Sequence, residues 1–213
     1  MELSGKVVLV TGASRGIGRA TAETLVARGA TVAVSATSTD ALSALGAAST
    51  HAFDLSDPAN ALALAEEVEA QHGHVDVLVN NAAVRLDQLV THVELEDLDR
   101  SFQVNVLSPF VLAGRLAAGM ADRGEGVVVN LVAPAVSPGR RGMGPYATSK
   151  AALESLTNTL RQEVGGKGVA VFGFDPGWVE TDLAPDGKEE PGPVAERLVG
   201  HIEAAKGSKT PLA

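Results

Sequence analysis

Tyr146 and Lys150 stand four apart in the string Tyr146-Ala147-Thr148-Ser149-Lys150, and Tyr146 is the only tyrosine of the chain. On a helix that spacing puts both side chains on one face, a turn apart. A free phenol titrates near 10 (about three units above neutral), too high to donate or accept protons efficiently there. A neighbouring ammonium favours the phenolate and draws the value down. The pair therefore reads as a candidate general acid/base. Alone it is a weak signal, because a surface tyrosine beside a solvated lysine gives the same string.

A second stretch carries more. The apolar run Val7-Val8-Leu9-Val10 leads directly into Thr11-Gly12-Ala13-Ser14-Arg15-Gly16-Ile17-Gly18. Glycine allows positive φ and close backbone approach, and a helix that opens at such a turn offers free N–H groups and the positive end of its dipole. The ligand that suits this geometry is a diphosphate, and the strand and helix flanks suggest a dinucleotide.

These residues need a scaffold, and the chain supplies one. Strand-like runs lie near 6–10, 30–35, 50–53, 75–79, 126–132 and 168–174. Helical patterns fall near 16–28, 58–72, 97–121 and 146–164, with a short one around 40–46 and a last one near 194–205. Val75 to Val79 and Val127 to Val129 are apolar without clean alternation, as strands covered on both faces should be. Asp57 before Pro58 reads as a helix cap followed by a first-turn proline. Repeated βαβ units predict an α/β fold, a Rossmann-type doubly wound parallel sheet in three layers. The 213 residues suit a single dinucleotide-binding domain, 1–213, with no linker or repeat. The polar stretch Ala184 to Pro193 reads as a mobile loop and a candidate lid.

Composition narrows the partners. A formal charge of −9 argues against nucleic acid and anionic membranes. The chain holds no cysteine, so disulfides and thiolate metal sites are excluded. Hydrophobic residues make up 45% but aromatics only 3%, so Ala, Val and Leu must build the core. Met1 to Lys6 lacks the pattern of a secretion signal, and no apolar run approaches the ~18 residues of a membrane span. A cytoplasmic protein is expected. His72 and His74 are two apart near a helix end, where their side chains diverge without a third ligand, and no metal site is expected.

Taken together the motifs resemble the short-chain dehydrogenase/reductase family, and within it most resemble the 3-oxoacyl-(acyl carrier protein) reductases. The resemblance runs from residue 3 to about residue 183. It rests on Thr11-Gly12-x-x-x-Gly16-x-Gly18, Asp54-Leu55, Asn80-Asn81-Ala82, Asn105, Tyr146-x-x-x-Lys150 and Pro176-Gly177-x-Val179-x-Thr181. It implies that Tyr146 hands a proton to the carbonyl oxygen as hydride arrives from the nicotinamide. Lys150 would hold the nicotinamide ribose and depress the tyrosine pKa, and Asn105 would sit mid-helix and anchor a proton-relay water. Gly12, Gly16, Ile17 and Gly18 would cradle the cofactor, Asp54 beside Leu55 would meet the adenine, and Asn81 and Ala82 would line its floor. Thr181, following Pro176, Gly177 and Val179, would reach the carboxamide. Plainer roles exist for several of these: Asp54 as a turn cap, Asn80 and Asn81 as turn formers, Thr181 as a helix cap. Trp178 reads equally as a packing residue or a wall of the substrate cavity.

The second strand ends Val34-Ser35-Ala36-Thr37-Ser38 without the acidic residue that takes an NAD ribose. Arg15 within the glycine turn can pair with a 2′-phosphate, and the hydroxyls of Ser14 and Thr37 can add hydrogen bonds. The expected cofactor is NADP(H).

Two departures from the family pattern stand out. The family places a serine thirteen residues before the tyrosine, and here that position is Ala133. Losing one such donor costs about 10²–10³ in rate. Ser137 takes the role only if a turn near Pro134 or Pro138 brings it back. The chain is also short after its last helix, where relatives carry a further strand and a tetramer interface. A homodimer through helices 97–121 and 146–164 is the expected assembly. Arg140-Arg141, ahead of Tyr146, either guide an anionic substrate tail or form a plain surface pair. The reading is an NADP(H)-dependent reductase of a small-molecule ketone, or the reverse oxidation. The alternative is a non-redox lyase, isomerase, cyclase or cofactor-binding protein on the same scaffold, favoured by Ala133.

Overall fold

In the computed structural model, residues 1–133 and 139–207 are described, so Ser137 and the tail 208–213 lie outside them. The strands are β1 (Val7–Thr11), β2 (Thr31–Ala36), β3 (Ser49–Ala52), β4 (Val77–Asn80), β5 (Gly126–Leu131) and β6 (Val169–Phe174). The helices are α1 (Gly16–Ala27), α2 (Pro58–His72), α3 (Leu95–Phe102), α4 (Ser108–Arg123), α5 (Gly144–Val164) and α6 (Pro191–Ala204).

The strands form one parallel sheet in the order β3-β2-β1-β4-β5-β6. Val10 pairs with Val34 on one side and Val79 on the other. Successive side chains of β1 go to opposite faces: Val8 and Val10 join the layer with α1 and α6, while Val7 and Leu9 join the layer with α2, α4 and α5. Both faces are thus dry, which explains why the strands read as runs of Val and Leu without alternation. The chain winds outward from β1 in both directions, so a crevice opens at the carboxyl ends of the strands between β1 and β4.

Local signals account for the element boundaries. Asp57 caps α2, accepting from the Ala59 N–H at 2.9 Å, and Pro58 fills the first turn. Glu96 and Asp97 sit in the first turn of α3, where the dipole favours them. Between α3 and α4 the helix widens into a π turn, Gln103–Leu107, with Ser108 N–H bonded to the Gln103 carbonyl. The residue four beyond Asn105 is Pro109, which has no N–H to give, so regular α bonding cannot pass through Asn105. The predicted single helix 97–121 is therefore two helices joined by a bulge.

Contrary to the expectation that no stretch is apolar enough, Leu95–Arg123 has a window of mean hydropathy 1.4, long and apolar enough by composition to cross a membrane, because small and polar residues are scattered through it rather than clustered. Its window is 56% buried inside the protein, and α4 packs on α2, β5 and α5, the surroundings of a core helix. The segment 184–190 also differs from the expected free lid. It folds back on the chain just before it: Lys188 N–H bonds the Trp178 carbonyl at 2.8 Å and Glu180 N–H bonds the Glu189 carbonyl at 2.8 Å.

Candidate functional site

The crevice at the strand ends is a cavity of about 350 Å³. One corner of it is the glycine turn after β1. Gly12 and Gly16 hold φ of +67° and +56°, the left-handed region where a side chain is strained. A Cβ on Gly18 would lie 2.3 Å from Asn81 Nδ2 and 2.4 Å from the Gly12 carbonyl oxygen, so only glycine lets α1 start this close to the strand. Arg15, the cap residue of α1, makes no side-chain cap bond. The first N–H groups of α1 therefore lack helical acceptors and remain for a ligand. Gly12, Ser14, Arg15, Gly16, Ile17 and Gly18 all line the cavity.

Asn81 and Ala82 also line it, but the Asn81 side chain is spent on the scaffold. Its Nδ2 donates to the carbonyls of Thr11 (2.8 Å) and Gly12 (3.1 Å), while Thr11 Oγ1 accepts from the N–H groups of Asn81 and Ala82, each at 3.1 Å. Asn81 thus braces the glycine turn and shapes the floor. Asn80 is buried and donates to Asn130 Oδ1 at 2.8 Å.

Thr37, Asp54 and Leu55 line the next wall. Asp54 accepts from Ser56 N–H at 2.9 Å, and that bond lowers its carboxyl below the ordinary range. The turn-cap role and the cavity position coexist. Ser35 lines the cavity too, with a buried hydroxyl that has no partner among the described residues. Arg15 points elsewhere than expected: its guanidinium spans to Asp182 at 2.9 Å, both groups being largely exposed. Such a surface pair is worth under about 1 kcal/mol, little enough for an anion to displace.

The reactive end is built on α5. Tyr146 and Lys150 share the cavity wall, with Lys150 Nζ 5.7 Å from the centre of the phenol ring. Lys150 is only 4% exposed and donates to the Leu131 carbonyl at 2.7 Å; burial lowers its pKa to about 8. The phenol departs from expectation. Burial raises the Tyr146 pKa, and the cation that opposes this is Arg85 rather than Lys150.

Asn105 is fully buried in the π turn, behind the cavity wall that Val104 presents. Its Oδ1 accepts from Val84 N–H and its Nδ2 donates to the Val84 carbonyl, both at 2.9 Å, and Nδ2 also donates to Ser149 Oγ at 3.0 Å. Ser149 Oγ in turn donates to the Tyr146 carbonyl at 2.8 Å, so Asn105 couples the loop after β4 to the first turns of α5.

Past β6, Pro176 and Thr181 line the cavity. Val179 does not: it is 4% exposed and packs in the core layer of α1 and α6. Gly177, at φ +76°, turns the chain outside the cavity lining. Ala133, where the resemblance calls for a serine, carries no polar atom in its side chain, and Leu131 and Val132 supply the wall at the end of β5. Two cations escaped the sequence reading. Arg100 of α3 lines the cavity and lies near enough to Asp54 to lower its pKa. Arg85 stands at the Tyr146 end. Neither carries a motif, and only folding brings them there.

Residues 6–191 match the family model described as short chain dehydrogenase. The 3-oxoacyl-(acyl-carrier-protein) reductase of Escherichia coli K12 is 37% identical over 188 residues, covering 86% of this chain and 77% of that protein. The reductase of the same name from Thermotoga maritima is 32% identical over 191 residues, covering 86% and 78%. Among solved structures, a short-chain dehydrogenase from Streptomyces avermitilis superposes with a TM-score of 0.89 at 30% identity, covering 99% of this chain and 89% of that one. A metagenomic blue fluorescent protein in complex with NADPH superposes with a TM-score of 0.85 at 32% identity, covering 98% and 93%.

Proposed function

The chain belongs to the short-chain dehydrogenase family, and from that premise we propose that it is an NADP(H)-dependent oxidoreductase that reduces a ketone to an alcohol, or runs the reverse. One observation carries the reading: a glycine turn with uncapped helix N–H groups and the Tyr146–Lys150 pair border the same cavity.

The residues present fit the nucleotide. The α1 N-terminus and the left-handed glycines accommodate a diphosphate, and the unpartnered Ser35 hydroxyl is a buried polar atom on the cavity wall. The wall at the end of β2 offers Ser35, Ala36 and Thr37 rather than a carboxylate, which favours a phosphorylated ribose over a bare one. Arg15, exchanging Asp182 for the 2′-phosphate, would supply the charge. Neighbours solved with NADPH and NADP support the same choice. When bound, the reduced nicotinamide supplies hydride to the carbonyl carbon.

The chain's own part is proton handling and placement. The Tyr146 hydroxyl donates its proton to the carbonyl oxygen, and in the oxidative direction the phenolate takes it back. Lys150 keeps two ammonium hydrogens beyond the Leu131 bond for ribose hydroxyls. Asn105 acts through the Val84 backbone and Ser149, fixing where the phenol stands. Ala133 withdraws one hydrogen bond from the substrate oxygen, so turnover is slowed by about 10²–10³ relative to a serine-bearing site. That same residue favours the second reading, a non-redox or cofactor-binding protein on this scaffold.

The test is NADPH consumption across a panel of ketones. Tyr146→Phe abolishes turnover, Ala133→Ser raises kcat, and Arg15→Ala weakens NADPH about tenfold while leaving NADH unchanged. Tight NADPH binding with no turnover by the parent or Ala133→Ser selects the second reading, and an active Tyr146→Phe refutes the assigned chemistry. Leu107, which ends the π turn, and Phe110 on α4 are 43% and 55% exposed, apolar surface that suits the dimer through helices 97–121 and 146–164. Phe110→Glu should turn a dimer into a monomer on size exclusion with light scattering.

A further inference from the structure

Beside the cavity, past the wall that Tyr146 and Leu183 share, stands an arrangement that proton and hydride transfer do not use. Trp178, the only tryptophan of the chain, has two guanidinium groups over its ring: Arg85 at 5.4 Å and Arg140 at 4.8 Å from the centroid. The indole is itself held, its Nε1–H donating to the Asp186 carbonyl at 3.1 Å. Arg85 begins from backbone that Asn105 clamps at Val84. Its Nε and Nη2 donate to the two oxygens of Asp87 at 2.8 and 2.6 Å, and its Nη1 donates to the Leu183 carbonyl at 2.9 Å. Leu183 lines the cavity with Tyr146, so the stack stands at the reacting end.

We propose that Arg85, Trp178 and Arg140 form a receptor for an anionic group, a carboxylate, on the carbonyl substrate. This rests on the reductase reading and says which ketones the site takes. Three physical points carry it. The forks are pre-organised: an arginine laid on an aromatic face has already lost much of the rotamer freedom that capturing an anion costs. Donors remain, because Arg85 commits three of its five N–H groups and Arg140 has no ion-pair partner among the described residues. Two cations held against one ring also raise the local positive potential, which an anion lowers. The acids that face this corner are Asp87, which already occupies one edge of Arg85, and Asp186, whose carboxylate is sensed by Arg85 while its carbonyl holds the indole. In a chain of net charge −9, the two arginines offer charged donors beside the cavity that a neutral ligand uses less well than an anion. An anion seated there adjoins the cavity wall that Leu183, which accepts from Arg85, shares with Tyr146.

Trp178 makes the test direct, because all tryptophan emission comes from this corner. Protein saturated with NADP⁺, which cannot reduce a ketone, is titrated with levulinate and with methyl levulinate, the same ketone without the charge. Levulinate should change the emission at concentrations about tenfold or more below the ester, and added salt should shrink the gap. Arg140→Gln, on an exposed side chain, and Arg85→Gln should each cut the preference to about twofold or less, with Arg85→Lys retaining part of it. Equal responses to the two probes, no response to either, or a preference untouched in Arg140→Gln overturns the assignment. A preserved binding preference without NADPH consumption refutes the reductase reading and leaves the receptor standing.

Discussion

The Lys150 ammonium is bound to the carbonyl of Leu131, the last residue of β5, at 2.7 Å. This bond fastens α5 to the strand end beside which the cavity opens, and it leaves a positive charge buried without a carboxylate partner. Burial alone brings the pKa from 10.5 to about 8. Below pH 8 the folded and unfolded chains both carry the proton, and folding bears the full cost of burying it. Between pH 8 and 10.5 the unfolded chain holds more protons than the folded one, so stability rises with pH. The gain is about 3 kcal/mol by the linkage relation. Tyr146, whose pKa is raised, opposes this only as pH passes 10. Thermal unfolding of the cofactor-free protein should therefore show a Tm that climbs from pH 8 to 10, and Lys150→Met should flatten the climb.

Asn105 makes four hydrogen bonds, two with the Val84 backbone and one each to the hydroxyls of Ser149 and Ser101. Asn105→Ala leaves the Val84 N–H and carbonyl without their side-chain partner at the half-buried cavity wall, at a cost of about 1–3 kcal/mol. Urea unfolding should show that loss. The Val84 segment and the first turn of α5 shift with it, so kcat should fall more than nucleotide affinity. A variant of parent stability and parent kcat would contradict the bracing role.

Gly18 is packed against Asn81 and the Gly12 carbonyl with no room for a methyl group. Gly18→Ala must push α1 away from the end of β1, which moves the N–H groups that face the diphosphate. We expect NADPH binding to weaken by about two orders of magnitude with stability reduced by about 1–3 kcal/mol. Calorimetric titration separates the two effects.

A polar chain outside the cavity controls the acid side. Glu67 meets His51 Nδ1 at 2.7 Å, His51 Nε2 meets Ser49 Oγ at 2.8 Å, and Ser49 Oγ meets His72 Nε2 at 2.8 Å. Burial, followed by the charge of His51, lowers the His72 pKa from 6.5. The unfolded chain then takes up its proton first as pH falls, so the stability present above pH 6.5 declines below it. Chemical denaturation across pH 7.5 to 5 should show the decline, and His72→Gln should reduce it. A profile identical in parent and variant would rule out His72 as the source.

How much of this was legible beforehand differs from residue to residue. Apolar runs, Asp57-Pro58 and the glycine turn are local signals, because the backbone conformation they demand is set within a few neighbours. The four-residue spacing of Tyr146 and Lys150 is local in the same sense, and both border the cavity. The direction of the Tyr146 shift was not legible, since desolvation depends on everything packed around a group. Val179 was assigned to the cavity by motif position and lies in the core, because a motif records order along the chain and not the direction of a side chain. The π turn did have a signal, Pro109 four residues after Asn105, which becomes informative once a single long helix is in question.

The order of residues in this chain was sufficient for a parallel α/β sheet, a glycine turn that opens a helix, and a tyrosine and a lysine on one helix face, since each follows from periodicity and short-range sterics. Folding alone decided that Arg85, Trp178 and Arg140 meet beside Tyr146, that Arg15 reaches Asp182, and that Asn105 grips Val84. Those partners are separated by 21 to 167 positions. Contacts across such spans are chosen by how the layers pack, and the electrostatics of the site follow from that packing.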